Sequence, residues 1–125
     1  EQRRAFELFK RAADAALAMI RPGVTAADIA RVQNDVFRAE GYGEYCTAQY
    51  TRVRGHGLGL HFDEEPMILE EVDFPIRAGM VLIAHPNTYL PLAGYMVFGD
   101  ALLVTETGCE RLTKTERILF QAGES

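Results

Sequence analysis

The chain opens with a helical rhythm. Phe6, Phe9, Ala13, Leu17 and Ile20 recur at spacings of three and four, one apolar stripe along a helix from Glu1 to Ile20. Arg3, Glu7, Arg11 and Asp14 take much of the remaining surface, and Arg21-Pro22-Gly23 stops the helix. A second helix starts at Thr25-Ala26-Ala27-Asp28, where Thr25 can cap the free amides and Asp28 completes a capping box. Its apolar face is Ile29, Val32, Val36 and Phe37, and Gly41 suits the left-handed position after the last turn. The two helices are expected to form a hairpin lying on an apolar surface.

After Gly43 the pattern changes to that of strands. Glu44 to Arg54 alternates imperfectly, Met67-Ile68-Leu69 is a short apolar run, and both Met80–His85 and Tyr95–Val104 are rich in strand formers. Between the last two, Pro86 to Gly94 reads as a loop with two prolines. Thr105 to Gly108 reads as a turn, a short strand ends near Leu112, and Gln121 to Ser125 looks frayed. Helices precede strands as a block, so the expected class is α+β, a helical hairpin packed on a mostly antiparallel sheet.

Composition narrows the partners. The 125 residues make one domain, 1–125, and 48% hydrophobic residues supply a modest core. A net charge of −5 argues against nucleic acid and against an anionic membrane surface, since either wants a basic patch. No apolar run approaches the roughly 18 residues of a membrane span, and no signal peptide is visible. Cys46 and Cys109 lack metal-ligand spacing. The expectation is a soluble, cytoplasmic protein.

Chemistry concentrates in Arg54-Gly55-His56-Gly57-Leu58-Gly59-Leu60-His61-Phe62-Asp63-Glu64-Glu65-Pro66, which holds two of the chain's three histidines. Glycines on both sides of His56 let the backbone come close to whatever the imidazole touches. His61 reads equally well as a surface or a site residue. Asp63, Glu64 and Glu65 suit metal ligation, acid/base work or a solvated acidic turn. His85 ends an apolar strand, sharing a face with Val81 and Ile83, so the sheet delivers it either to a pocket rim or to the core. Asp100 lies in an apolar strand and needs a partner, and Gly99 beside it suggests a bulge or a close approach.

These pieces, taken in order, resemble the pita-bread superfamily: methionine aminopeptidase, Xaa-Pro dipeptidase (prolidase), aminopeptidase P and creatinase. The likeness is carried by Ile20-Arg21-Pro22-Gly23-Val24-Thr25, by Arg54-Gly55-His56-Gly57-Leu58-Gly59, and by Asp63-Glu64-Glu65-Pro66. Ala78-Gly79-Met80-Val81 and the run from Gly99 through Gly108 extend it. The resemblance implies the second half of such a domain, the C-terminal part of a longer protein. Peptidases of the superfamily hold two metal ions with two aspartates from the first half, and with one histidine and two glutamates from the second. No segment here looks like the aspartate-bearing strands. His56 matches the histidine ligand, but the first glutamate falls on His85 and the second on Gly99. The superfamily's second histidine falls on Asp63, with His61 nearby and out of register.

Two divalent cations bring about four positive charges, which these positions would leave under-neutralised. The resemblance therefore implies no metal pair and no cofactor, on the pattern of creatinase. In this reading His56 and His85 carry protons in the old metal pocket and Asp100 orients one of them. His61, Asn87, Tyr89 and Tyr95 contact the substrate. A single metal on His56, His85 and one carboxylate is the other chemistry left open. The implied function is a hydrolase of the Xaa-Pro dipeptidase/creatinase type, acting on a small-molecule amide, another C–N substrate or a short peptide. The alternative is a non-catalytic pita-bread module that recognises a peptide or protein. Taken alone the chain is expected to be inactive and to self-associate as a homodimer, because a missing first half leaves a sheet edge and a concave face uncovered.

Overall fold

A computed structural model describes residues 1–91 and 93–123. Two helices, α1 (Gln2–Met19) and α2 (Ala26–Ala39), pack on each other and on a sheet. Both bonds of the expected capping box form: the Asp28 amide donates to Thr25 Oγ1 at 3.1 Å and the Thr25 amide donates to Asp28 Oδ2 at 3.0 Å. Gly41 adopts φ 86°, the left-handed conformation expected after α2.

The strands are β1 (Gly55–Gly57), β2 (Glu64–Met67), β3 (Val81–Ala84), β4 (Asn87–Leu90), β5 (Gly94–Val97), β6 (Asp100–Val104) and β7 (Cys109–Arg111). Five of them form an antiparallel sheet in the order β2-β1-β3-β6-β7, and β4 and β5 make a separate hairpin. Alternation gives the larger sheet two faces. Leu82, Ala84, Leu102 and Val104 are buried, and all four side chains close a core with Ile20, Ile29 and Ala30. Val81, Ile83, Ala101 and Leu103 lie on the other face and are only half-buried. A second core, built on Phe9, Phe37, Cys46 and Leu90, fixes the hairpin against the helices, with the Phe9 and Phe37 rings edge to face at 5.0 Å. None of the described helices is long and apolar enough to cross a membrane.

Three local expectations give way. Residues 44–54 do not form a strand: a 3-10 turn (Gly43–Cys46) is followed by irregular chain. Here the Tyr45 ring packs on Tyr50 at 4.8 Å and on Tyr89 of β4 at 6.2 Å, so the tyrosines of this irregular segment are used side by side and not on alternate faces. Pro86 to Gly94 is not all loop. Pro86 and Pro91 flank β4 rather than interrupt it, leaving Asn87–Leu90 free to pair with β5. The run Tyr95–Val104 is two strands in two sheets, broken at Phe98-Gly99. Of the residues expected to fray, Glu124 and Ser125 lie outside the described residues.

Candidate functional site

Strand β1 is threaded between β2 and β3, and its glycines make that possible. A Cβ on Gly55 would collide with the Ile83 carbonyl, and one on Gly57 with the Glu65 carbonyl. His56, held between them, pairs with Ile83 on one side and Met67 on the other and is 5% exposed. Its Nδ1 lies 2.8 Å from the Gly57 carbonyl oxygen and 3.5 Å from Asp63 Oδ1. A carbonyl only accepts, so Nδ1 carries the hydrogen and donates it, leaving Nε2 as the basic nitrogen. Asp63, at the position where the superfamily's second histidine falls, thus becomes the carboxylate beside His56. The sequence leaves Asp63 between acid/base work and a solvated turn, and the chain from Leu58 to Asp63 brings it to His56.

His85 follows β3 and continues the pairing, its amide donating to the Arg54 carbonyl at 3.0 Å. Two residues beyond Ile83, it shares the half-buried face with His56, and the two rings stand edge to face with centroids 5.2 Å apart. Phe62 closes a third side, its ring 5.5 Å from that of His56. Burial is the chief reason the His85 pKa lies below the ordinary histidine value, and the nearby charges of His56 and Arg54 push in the same direction. His85 is therefore a neutral imidazole at pH 7. Its Nδ1 is buried without a hydrogen-bond partner.

Arg54 was legible only as part of the glycine motif, yet it is the largest fully buried side chain among the described residues. Its Nε donates to Asn34 Oδ1 at 2.6 Å, Nη1 to the Asn87 carbonyl at 2.9 Å, and Nη2 to the Thr51 carbonyl at 3.0 Å. Burial works against its charge, while Cys46 and Glu70 work for it. The nearest carboxylate in this network is one residue removed, since Asn34 and Arg38 both donate to Glu70. Burial alone would raise the Glu70 pKa, but those two hydrogen bonds outweigh it and hold the group ionised. Arg54 thereby ties α2, the irregular segment before β1 and the start of β4 together underneath the histidines.

Asn87, Tyr89 and Tyr95 come together on one face of the β4–β5 hairpin. Tyr89 pairs directly with Tyr95, and the Asn87 amide oxygen accepts from the Tyr95 hydroxyl at 3.0 Å. The amide nitrogen of Asn87 then donates to the carbonyls of Val53 and His85, which joins this face to the imidazole pair. His61 is exposed, and its backbone amide donates to Glu64 Oε2 at 2.9 Å.

Asp100 takes a different place from the one expected. Its register partner is Ala84, so it points to the core face of the sheet, opposite to His56 and His85. There its Oδ1 accepts from Thr113 at 2.8 Å and from Arg111 at 3.1 Å, while Arg117 Nε approaches Oδ2 at 3.2 Å as an ion pair out of hydrogen-bond alignment. This carboxylate is a structural anchor for the chain after β7 and orients neither imidazole. A cavity of about 530 Å³ between the start of α1 and Leu90–Pro91 includes neither histidine among its lining residues.

The donor set does not fit the metal pair that peptidases of the superfamily hold. Of the three positions expected to supply ligands from this half, only His56 retains a matching side chain. Among the described residues no three His, Cys, Asp or Glu side chains converge to hold an ion.

The relatives agree with this architecture. The chain is 34% identical to the Xaa-Pro dipeptidase of Pyrococcus furiosus over 120 residues, covering 96% of itself and 33% of that protein. It superposes on the prolidase from Pyrococcus furiosus with a TM-score of 0.83 over 92% of its length. The X-Pro aminopeptidase from Thermotoga maritima gives a TM-score of 0.84 at 29% identity, over 94% of this chain and 32% of that one. A methionine aminopeptidase from Rickettsia prowazekii, 19% identical with a TM-score of 0.63, shares the fold. The chain thus spans about a third of the length of its prolidase relatives. Residues 1–106 match the sequence pattern of metallopeptidase family M24, and the chain belongs to that family.

Proposed function

We propose that this chain supplies the histidine half of an Xaa-Pro dipeptidase-like or creatinase-like hydrolase that works without a metal pair. The observation carrying the reading is the pair of imidazoles, 5.2 Å apart on one half-open sheet face, where the superfamily places a histidine and a carboxylate. Nε2 of His56 takes a proton from water as the water oxygen attacks the amide or C–N carbon. Asp63 at 3.5 Å offsets the positive charge that forms on His56. The C–N bond breaks, and the proton passes to the leaving nitrogen. His85, kept neutral by burial, can donate from one nitrogen and accept on the other, which suits a second proton carrier. Asn87, Tyr89 and Tyr95 supply the polar and aromatic wall for a small substrate or short peptide.

The test uses the protein at its natural length, treated with a metal chelator and offered Xaa-Pro dipeptides together with a panel of small amides and ureas. Turnover is expected to survive chelation. His56→Ala and His85→Ala should each lower kcat/KM by about 10²-fold or more, as loss of general acid–base catalysis does. Turnover that disappears with chelation and returns with Mn²⁺ overturns the metal-free reading. A protein that binds peptides and turns over nothing favours the recognition module.

A further inference from the structure

The start of β6 passes unusually close to the end of β3. The ladder pairs Ala84 with Asp100, which sets Gly99 opposite His85. A Cβ placed on Gly99 would lie 2.8 Å from His85 Cβ, 3.2 Å from the Ala84 carbonyl oxygen and 3.4 Å from His85 Cα. Directly opposed residues ordinarily keep their Cβ atoms about 4.5–5.5 Å apart, so no side chain fits opposite His85 with the backbones where they are. Unlike Gly55, Gly99 does not occupy the left-handed region, so glycine is needed here for space and not for conformation.

We propose that Gly99 is a positioning residue: its missing side chain lets β6 close in on β3 and seats the His85 imidazole against His56. Position 85 and position 99 then act as one unit. Any side chain at 99 forces the strand ends apart or pushes His85 out of its place. A carboxylate there would displace the very imidazole it was meant to join, so the departure from a metal site is built into the backbone spacing as well as into the residue types. The proposal rests on His56 and His85 being the working pair, but its test is independent of turnover.

The test is a thermal-unfolding cycle on the natural-length protein with Gly99→Ala, His85→Gly and the double variant, together with the ring-to-ring nuclear Overhauser effect between residues 56 and 85. Gly99→Ala alone should lower Tm by about 4 °C or more, as overpacking does, and abolish the ring contact. In the His85→Gly background the same substitution should lower Tm by less than half as much, because the 2.8 Å contact with His85 Cβ is gone and only the 3.2 Å approach to the Ala84 carbonyl oxygen remains. A rise in Tm on Gly99→Ala in the parent, or an equal fall in both backgrounds, overturns the proposal. So does stoichiometric Mn²⁺ uptake by Gly99→Glu with His85 in place. An intact cycle in a protein that ignores His56→Ala counts against the proposed function and leaves the seat standing.

Discussion

Replacing Arg54 tests whether the buried guanidinium holds the site together. In Arg54→Met the side chain keeps its length and loses its charge and all its donors. Three acceptors lose their partner: Asn34 Oδ1, the Asn87 carbonyl and the Thr51 carbonyl. Each buried acceptor left unsatisfied costs about 1–3 kcal/mol, so the gross loss is on the order of 3–9 kcal/mol. Against this stands relief from keeping a cation out of water, several kcal/mol by itself. Breaking a buried charge network from one side usually leaves a net loss of about 3–5 kcal/mol, and we expect Arg54→Met near the lower end because methionine fills the space. Arg54→Ala should lose more, since it adds a cavity.

Arg54→Lys separates charge from geometry. Lysine keeps the cation but cannot reproduce the fork that reaches Asn34, Thr51 and Asn87 at once, so a substantial loss is expected there too. Urea unfolding followed by circular dichroism gives the midpoints and slopes for all three variants. If Arg54→Met is as stable as the parent, the guanidinium is a tolerated burial rather than a tie. The account of how α2 and β4 are fixed beneath the histidines then fails.

Asp63→Asn should lower kcat by about tenfold, because an amide no longer offsets the charge on His56, while Tm barely moves since the Asp63 side chain is 57% exposed. Stability should fall as pH drops below about 6.5. The folded-state pKa of His85 is depressed, so the unfolded chain takes up the proton first and stability rises with pH through that window; His85→Gln should flatten the slope in pH-dependent urea melts. Thr25→Ala removes the cap on the Asp28 amide and should cost about 1 kcal/mol, read from the same melts. The isolated chain is expected to form a homodimer through its uncovered face, where Phe62 is 78% exposed; a monomer mass by light scattering at high concentration would count against it.

What could be read from the sequence divides along a physical line. Local signals held: the capping box at Thr25 and the glycine after α2 are each fixed by their own backbone, while the glycines around His56 are required by the neighbouring strands that press on them. Long-range register did not. Whether Asp100 faces the histidines or the core depends on its pairing with Ala84, a contact no local pattern encodes. Shifting the ladder by one residue would have put it beside His85. Arg54 stayed hidden because arginine in a glycine-rich turn ordinarily reaches solvent, and only the folded arrangement of Asn34, Thr51 and Asn87 makes its burial tolerable. Strand β4 was missed because two prolines mark loops, and here they mark the ends of a strand.

The charges around the imidazoles bear on what the site can do. His85 is neutral, Asp63 carries one negative charge, and Arg54 beneath carries one positive charge held by neutral oxygens. Under the proposed function this leaves less negative charge beside the imidazoles than two divalent cations call for. During hydrolysis of an amide or C–N bond the charges appear as a pair, positive on the imidazole that takes the proton and negative on the oxygen of the attacked carbon. In the proposed reaction Asp63 supplies the counter-charge for the imidazole, while the Arg54 guanidinium, its donors spent on Asn34, Asn87 and Thr51, adds only its field at His85. Such preorganisation is worth most where water is excluded. The half-open sheet face gives that exclusion only when something covers it. Chelator-resistant turnover should therefore depend on that cover, and full turnover by residues 1–125 as a monomer would refute the argument.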